Sequence, residues 1–214
     1  TIISLFLHLD VHLAGLIATT GLWTYALLFA ILFCETGLIV TPFLPGDSLL
    51  FAAGALVTTT ELKLLPLMIL LTIAAIFGDT VNYWVGRHIG PKIFYKETGF
   101  FFHRDHLLRA QGFYEKHGGK AVILARFLPI FRTFAPFVAG VGKMSYGRFV
   151  TFNIVGGVIW VNGFLLLGYF FGNLPIIKER FSLVILAIVF VSFLPPIIRI
   201  IRNQIDKKGK NPTQ

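Results

Sequence analysis

Five ionisable side chains lie in stretches whose neighbours offer them almost no water. Glu35 and Asp47 belong to ETGLIVTPFLPGDSLLF (35–51), Asp79 to GDTVNYWVGR (78–87), and Arg126 and Arg132 to LARFLPIFRTFAPFVAG (124–140). A carboxylate at membrane depth costs from about 2.5 to above 10 kcal/mol, so such an acid is protonated, paired or functional. Arginine keeps its charge at any working pH and offers a planar fork of donors, which suits a phosphate. Two readings of Arg126 and Arg132 follow: they bind a substrate phosphate, or they neutralise Glu35 and Asp47. A transporter would use both in different states. On an unbroken helix the two arginines stand about 120° apart. Pro129 between them and Pro136 beyond allow a break or kink that brings both guanidiniums to one point.

The elements that position these residues follow from composition. With 56% hydrophobic residues, 14% charged residues and mean hydropathy +0.78, the bilayer rather than water is the expected solvent. The chain reads as an all-α polytopic membrane protein with one membrane domain, 1–204. The segment 1–20, with His8, Asp10 and His12 among apolar residues, reads as an interfacial helix and lacks the basic stretch of a secretory signal. Residues 22–58 form an interrupted block, broken by Pro42, Pro45 and Gly46, with Asp47 and Ser48 suited to cap a second short helix. Broken backbone at membrane depth is tolerated only where protein or a water-filled cavity surrounds it, so this block is expected to be a re-entrant hairpin. A transmembrane helix over 62–87 and a cytoplasmic amphipathic segment over 91–117 come next. A second re-entrant hairpin over 120–142, broken at Pro129 and Pro136, precedes transmembrane helices over 149–172 and 181–202, and a basic cytoplasmic tail occupies 205–214.

The two interrupted blocks share a pattern. FLPGDSLLFAAG (43–54) and FLPIFRTFAPFVAG (127–140) both open on Phe-Leu-Pro and close on Ala-Gly, and Arg132 stands where the first has Asp47. Weak symmetry with Gly/Pro breaks at matching positions is the signature of a transporter built from inverted repeats. Asp79, Asn82, Tyr83 and Gly86 recur at i, i+3, i+4 and i+7 on one helix face. Asp79 there either orients a hairpin or takes part in a proton path. Gly156, Gly157, Gly163 and Gly168 read as sites of close helix packing.

Charge sets the orientation. If the two hairpins return to their side of entry, 14 of the 19 Lys and Arg share one face and Lys63, Lys178 and Arg180 the other, which assigns the basic face and the C-terminus to the cytoplasm. The same rule accounts for the net charge of +9 without a nucleic-acid partner. A metal site is not expected, because the His8/His12 pair has no visible third ligand. The one cysteine, Cys34, permits no intramolecular disulfide. A lipid phosphatase would need a nucleophile or general acid, commonly histidine, beside its arginines, whereas all six histidines (8, 12, 88, 103, 106, 117) lie outside the hairpins. The expectation is therefore a non-enzyme with no cofactor; a homodimer is left open, and the alternative to transport is a non-transporting membrane protein of envelope homeostasis, which would leave the buried charges unexplained.

The blocks EtGlivtPfLPGDSLL, GDtvNYWvGrhiG (78–90), FyeKHGgKaviLaRFlPifRTfaPfvAGvgkM (113–144) and GYFFG (168–172) resemble the DedA family of bacterial inner-membrane proteins over about residues 5–202. The resemblance implies a VTT-domain fold and movement of a lipid phosphate, undecaprenyl phosphate or in some members a phospholipid, in dependence on the proton motive force. It also implies that the required acids of the family correspond to Glu35 and Asp47 and its required arginines to Arg126 and Arg132. Asp79 is added to the acids as a third candidate for proton coupling, at a position where relatives vary.

Overall fold

The computed structural model describes residues 21–38, 46–94, 118–127 and 129–175, with 177, 183, 184 and 187. The described residues form six α-helices and no strand: α1 (Trp23–Gly37), α2 (Gly46–Leu56), α3 (Leu64–Phe94), α4 (Lys120–Arg126), α5 (Pro129–Val141) and α6 (Tyr146–Phe171). Segments 1–20 and 205–214, the 181–202 helix apart from three residues, residues 95–117, and Pro42 and Pro45 lie outside the described set.

Among the described residues two helices are long and apolar enough to cross a membrane, Leu64–Ile89 within α3 and Tyr146–Phe171. Each pairs a buried face with an outer apolar one. On α3, Leu67, Leu71, Ala74, Ala75 and Tyr83 are buried, while Leu65, Ile69, Ile73, Phe77, Val81 and Trp84 are exposed at steps of four and three. A helix with apolar side chains on both faces suits a bundle surrounded by lipid rather than water.

The short helices lean on the long ones. α1 and α5 pack on α3, whereas α2 and α4 pack on α6, so the two short helices of each interrupted block divide between the long helices. Close approach needs glycine at two reciprocal places. A Cβ on Gly54 of α2 would meet the Leu165 carbonyl of α6, and one on Gly168 of α6 would meet the Phe51 carbonyl of α2. A Cβ on Gly140 of α5 would likewise meet the Tyr83 carbonyl of α3, and one on Gly86 of α3 the Phe137 carbonyl of α5. Small residues at a crossing let backbones approach and gain dispersion energy, which matters where lipid supplies no hydrophobic drive between helices. A clasp then fixes the α5–α6 turn. Tyr83 donates its hydroxyl hydrogen to the Met144 carbonyl, Arg87 Nη1 donates to the same oxygen at 3.2 Å, and the Tyr83 ring stacks on Phe149 at 4.5 Å.

Three local expectations change. α5 runs through Pro136 without interruption, so the second block leaves its first helix at Phe127 and Pro129 opens the next helix, where a missing amide proton costs nothing. α2 begins at Gly46, which places Asp47 inside its first turn instead of at the cap. The face of Gly156 does not serve helix packing alone: its missing Cβ leaves room for the Arg126 side chain, whose Cδ would stand 2.9 Å from that carbon.

Candidate functional site

The five ionisable residues gather where the short helices end. Glu35 lies in the last turn of α1 and Arg132 one turn into α5, so each stands at the helix end that disfavours its charge. Asp47 in the first turn of α2 and Arg126 in the last turn of α4 stand at the ends that favour theirs. Glu35 is 0% exposed, Asp79 2%, Arg126 3% and Arg132 5%. Charges this deep persist only when paired and hydrogen-bonded.

They form two clusters. In the first, Arg132 divides its fork: Nη1 donates to Asp47 Oδ1 at 2.8 Å and Nη2 donates to Glu35 Oε1. Glu35 Oε1 also accepts the Gly46 amide at 2.9 Å, tying the end of α1 to the start of α2. The missing side chain of Gly46 makes this fit, because a Cβ there would stand 2.7 Å from the Glu35 carboxyl carbon. In the second cluster, Arg126 Nη2 donates to Asp79 Oδ2 and to Asn153 Oδ1, joining α4 to both long helices. Asn153 completes the tie by donating from Nδ2 to the Ile76 carbonyl at 3.1 Å.

Trp160 stands between the clusters. Its ring centre is 5.0 Å from Arg132 Cζ and 5.9 Å from Arg126 Cζ, within cation–π range of both, and its Nε1 donates to Asp47 Oδ1 at 2.9 Å. Asn82 acts similarly on the backbone, donating Nδ2 to the Thr36 carbonyl of α1 at 3.1 Å and the Thr133 carbonyl of α5 at 2.6 Å. Asp79, Asn82 and Tyr83 thus reach α1, α4, α5 and α6 from one face of α3.

The sequence reading therefore named the charged residues but left their pairing open. The guanidiniums converge on Trp160 rather than on one anion, and both hairpin acids bind Arg132 while Arg126 takes Asp79. Asn153 and Trp160 were missed. Their signal was present, because Asn153, Gly156, Gly157 and Trp160 follow the same i, i+3, i+4, i+7 spacing as Asp79, Asn82, Tyr83 and Gly86. No group of three or more metal-ligating side chains occurs among the described residues.

The VTT domain description matches residues 44–170. Protein DedA of Escherichia coli K12 is 54% identical over 205 residues, covering 95% of this chain and 94% of its own length. An uncharacterized membrane protein of Mycobacterium leprae is 45% identical over 168 residues (78% of this chain, 75% of its own), and inner membrane protein YghB of Salmonella typhimurium is 36% identical over 156 residues (73% and 71%). No solved structure matches. Sequence identity along nearly the whole length of a DedA protein, together with two long apolar helices around buried charges, shows that the chain belongs to the DedA family of VTT-domain membrane proteins.

Proposed function

We propose that this protein is a flippase that carries a lipid phosphate, undecaprenyl phosphate foremost, across the bacterial inner membrane at the expense of the proton motive force. The observation that carries the reading is the burial of Arg132 and Arg126 with Glu35, Asp47 and Asp79 where four short helices meet two membrane-length ones. Ion pairs at such depth are expensive and mark substrate or proton paths. Arg132 and Arg126 are the phosphate ligands, and Glu35, Asp47 and Asp79 the proton-coupling acids. The partners are the lipid, protons and the membrane; no cofactor, metal, nucleic acid or bond cleavage takes part.

Residues 22–58 and 120–142 act as re-entrant hairpins of an inverted repeat. Supporting this, α2 of the first block packs on α6 while α5 of the second packs on α3, and Gly54 and Gly140, which align in the sequence repeat, make the matching contacts. In such transporters the site lies near the midplane where the breaks meet. Relatives bear the name inner membrane protein, and the same compartment is assigned here, with the C-terminus cytoplasmic. In a Cys34→Ser background, a cysteine at Arg104 is expected to be protected from impermeant thiol reagents added outside intact cells, and one at Lys178 to be labelled; the reverse pattern refutes the hairpin topology.

Transport is tested with purified protein in liposomes containing a polyprenyl phosphate, scoring lipid movement and phosphate release separately. Movement without release is expected. Arg132→Lys is expected to slow movement at least about tenfold at equal abundance, because an ammonium keeps the charge but cannot give the two parallel bonds that a planar fork makes to a phosphate oxygen pair. Parent-level movement in the lysine variant means that Arg132 only neutralises the acids.

A further inference from the structure

We propose that the Glu35 carboxylate is the resident occupant of an anion site built from the Gly46 amide and the Arg132 guanidinium, and that a phosphoryl headgroup enters by displacing it. This rests on the phosphate reading above and specifies where the phosphate goes and what it must move.

The geometry is that of a captured anion. Glu35 comes from α1, yet its Oε1 receives the first amide of α2 at 2.9 Å and an Nη2 hydrogen of Arg132 from α5. A helix N-terminal amide and a guanidinium are the two donor types that proteins use most readily for phosphate. The second oxygen, Oε2, is buried without a hydrogen-bond partner, so the carboxylate uses the site incompletely. A buried acceptor left unsatisfied costs free energy, which a ligand with more oxygens and more donors in reach recovers. One unspent donor is nearby: the Ser48 hydroxyl, in the same first turn of α2, is buried and has no partner. Gly46 supplies the clearance, since any Cβ there would lie against the bound carboxyl group.

The same contacts show which acid moves. The Gly46 amide and Arg132 Nη2 both point at Glu35 Oε1, while Nη1 holds Asp47, so a phosphate that takes the amide and Nη2 together must remove the Glu35 carboxylate. Asp47 accepts from Arg132 and from the Trp160 indole N–H at 2.9 Å, and it lies in its own helix's first turn, where the dipole favours an anion. Glu35 projects from the last turn of α1, where the dipole opposes it. It is also the acid whose release frees Gly46 at the start of α2 together with one arm of Arg132. The occupant therefore doubles as a gate: with Glu35 in place the site is filled, and with Glu35 displaced the end of α1 is no longer tied to the start of α2.

Binding of farnesyl phosphate and of inorganic phosphate to the purified full chain in detergent, read by calorimetry, tests the proposal. Glu35→Ala and Glu35→Gln are each expected to bind farnesyl phosphate at least about tenfold more tightly than the parent, the scale of one charge-assisted hydrogen bond regained. Adding Arg132→Ala to either is expected to remove that gain. The glutamine variant keeps the shape of the side chain, so it decides the matter if the alanine variant is not recovered as a monodisperse protein. Equal or weaker binding by both neutral variants, with parent binding still lost in Arg132→Ala, overturns the displacement while leaving the phosphate reading intact. Parent binding of farnesyl phosphate that is indifferent to Arg132→Ala overturns both. Tighter binding of farnesyl phosphate than of inorganic phosphate identifies a lipid headgroup as the occupant, and equal binding a phosphoryl group alone; the proposal holds in either case provided that the neutral variants show the gain.

Discussion

Asp79→Ala is expected to cost about 3–5 kcal/mol of stability, the loss typical when one partner of a buried ion pair is removed and the other charge stays behind. Arg126 is 3% exposed and meets one carboxylate, that of Asp79; its other hydrogen-bond partner, Asn153, is neutral. Stripping Asp79 leaves a guanidinium without counter-charge between α3, α4 and α6. The cost takes a large share of the roughly 5–15 kcal/mol that holds a typical domain together. In thermal unfolding of the detergent-solubilised protein, the single variant should melt well below the parent. The double variant Asp79→Leu with Arg126→Met should regain much of that loss, since replacing both partners by apolar groups is often neutral or stabilising. It should still fail to transport, because a phosphate ligand is gone. Unchanged melting of Asp79→Ala means that another group balances Arg126, and full transport by the double variant removes Arg126 from the phosphate site.

The contrast between Arg126 and Arg132 explains what the sequence disclosed and what it hid. Membrane-length helices over 62–87 and 149–172 were legible because an apolar run of that length has few other uses; α6 occupies its span with ends shifted by one to three residues, while α3 runs seven residues beyond its expected end, into the stretch expected to start the amphipathic segment. The break before Pro129 was legible for a similar reason: proline acts on its own backbone, so its effect is local. Pro136 shows the limit of that reasoning. Its ring sits inside α5, whose packing on α3 through Gly140 and Gly86 holds the helix across the lost hydrogen bond.

Pairing was not legible, because it depends on which helices touch. Local pattern could not tell that α2 leans on α6 and α5 on α3, an exchange that carries Arg132 to both Glu35 and Asp47 and leaves Arg126 to Asp79. Nor could it single out Asn153 and Trp160. In an apolar run an asparagine and a tryptophan look like tolerated guests, and their role appears only once α6 is seen to carry the partition between the two ion clusters.

That partition isolates a single guanidinium with two carboxylates, and this imbalance leads to the last expectation. With lipid phosphate absent, Glu35 and Asp47 share Arg132. A phosphate that displaces Glu35 strips it of its counter-charge and leaves Asp47 to share Arg132 with the phosphate, in a site with little water, so binding is expected to bring a proton onto this pair of acids, and release to return it as Glu35 re-occupies its place on Arg132. Lipid movement and proton movement are then one exchange and need no separate channel. Per coupled proton, a gradient of one pH unit can bias the lipid distribution by up to about tenfold. In proteoliposomes carrying a polyprenyl phosphate, the parent should show such a bias when a pH gradient is imposed. Glu35→Gln and Asp47→Asn should each abolish it, even where passive lipid movement survives. If both neutral variants retain the parent's full response, Glu35 and Asp47 only brace the start of α2 against Arg132, and the proton path runs elsewhere.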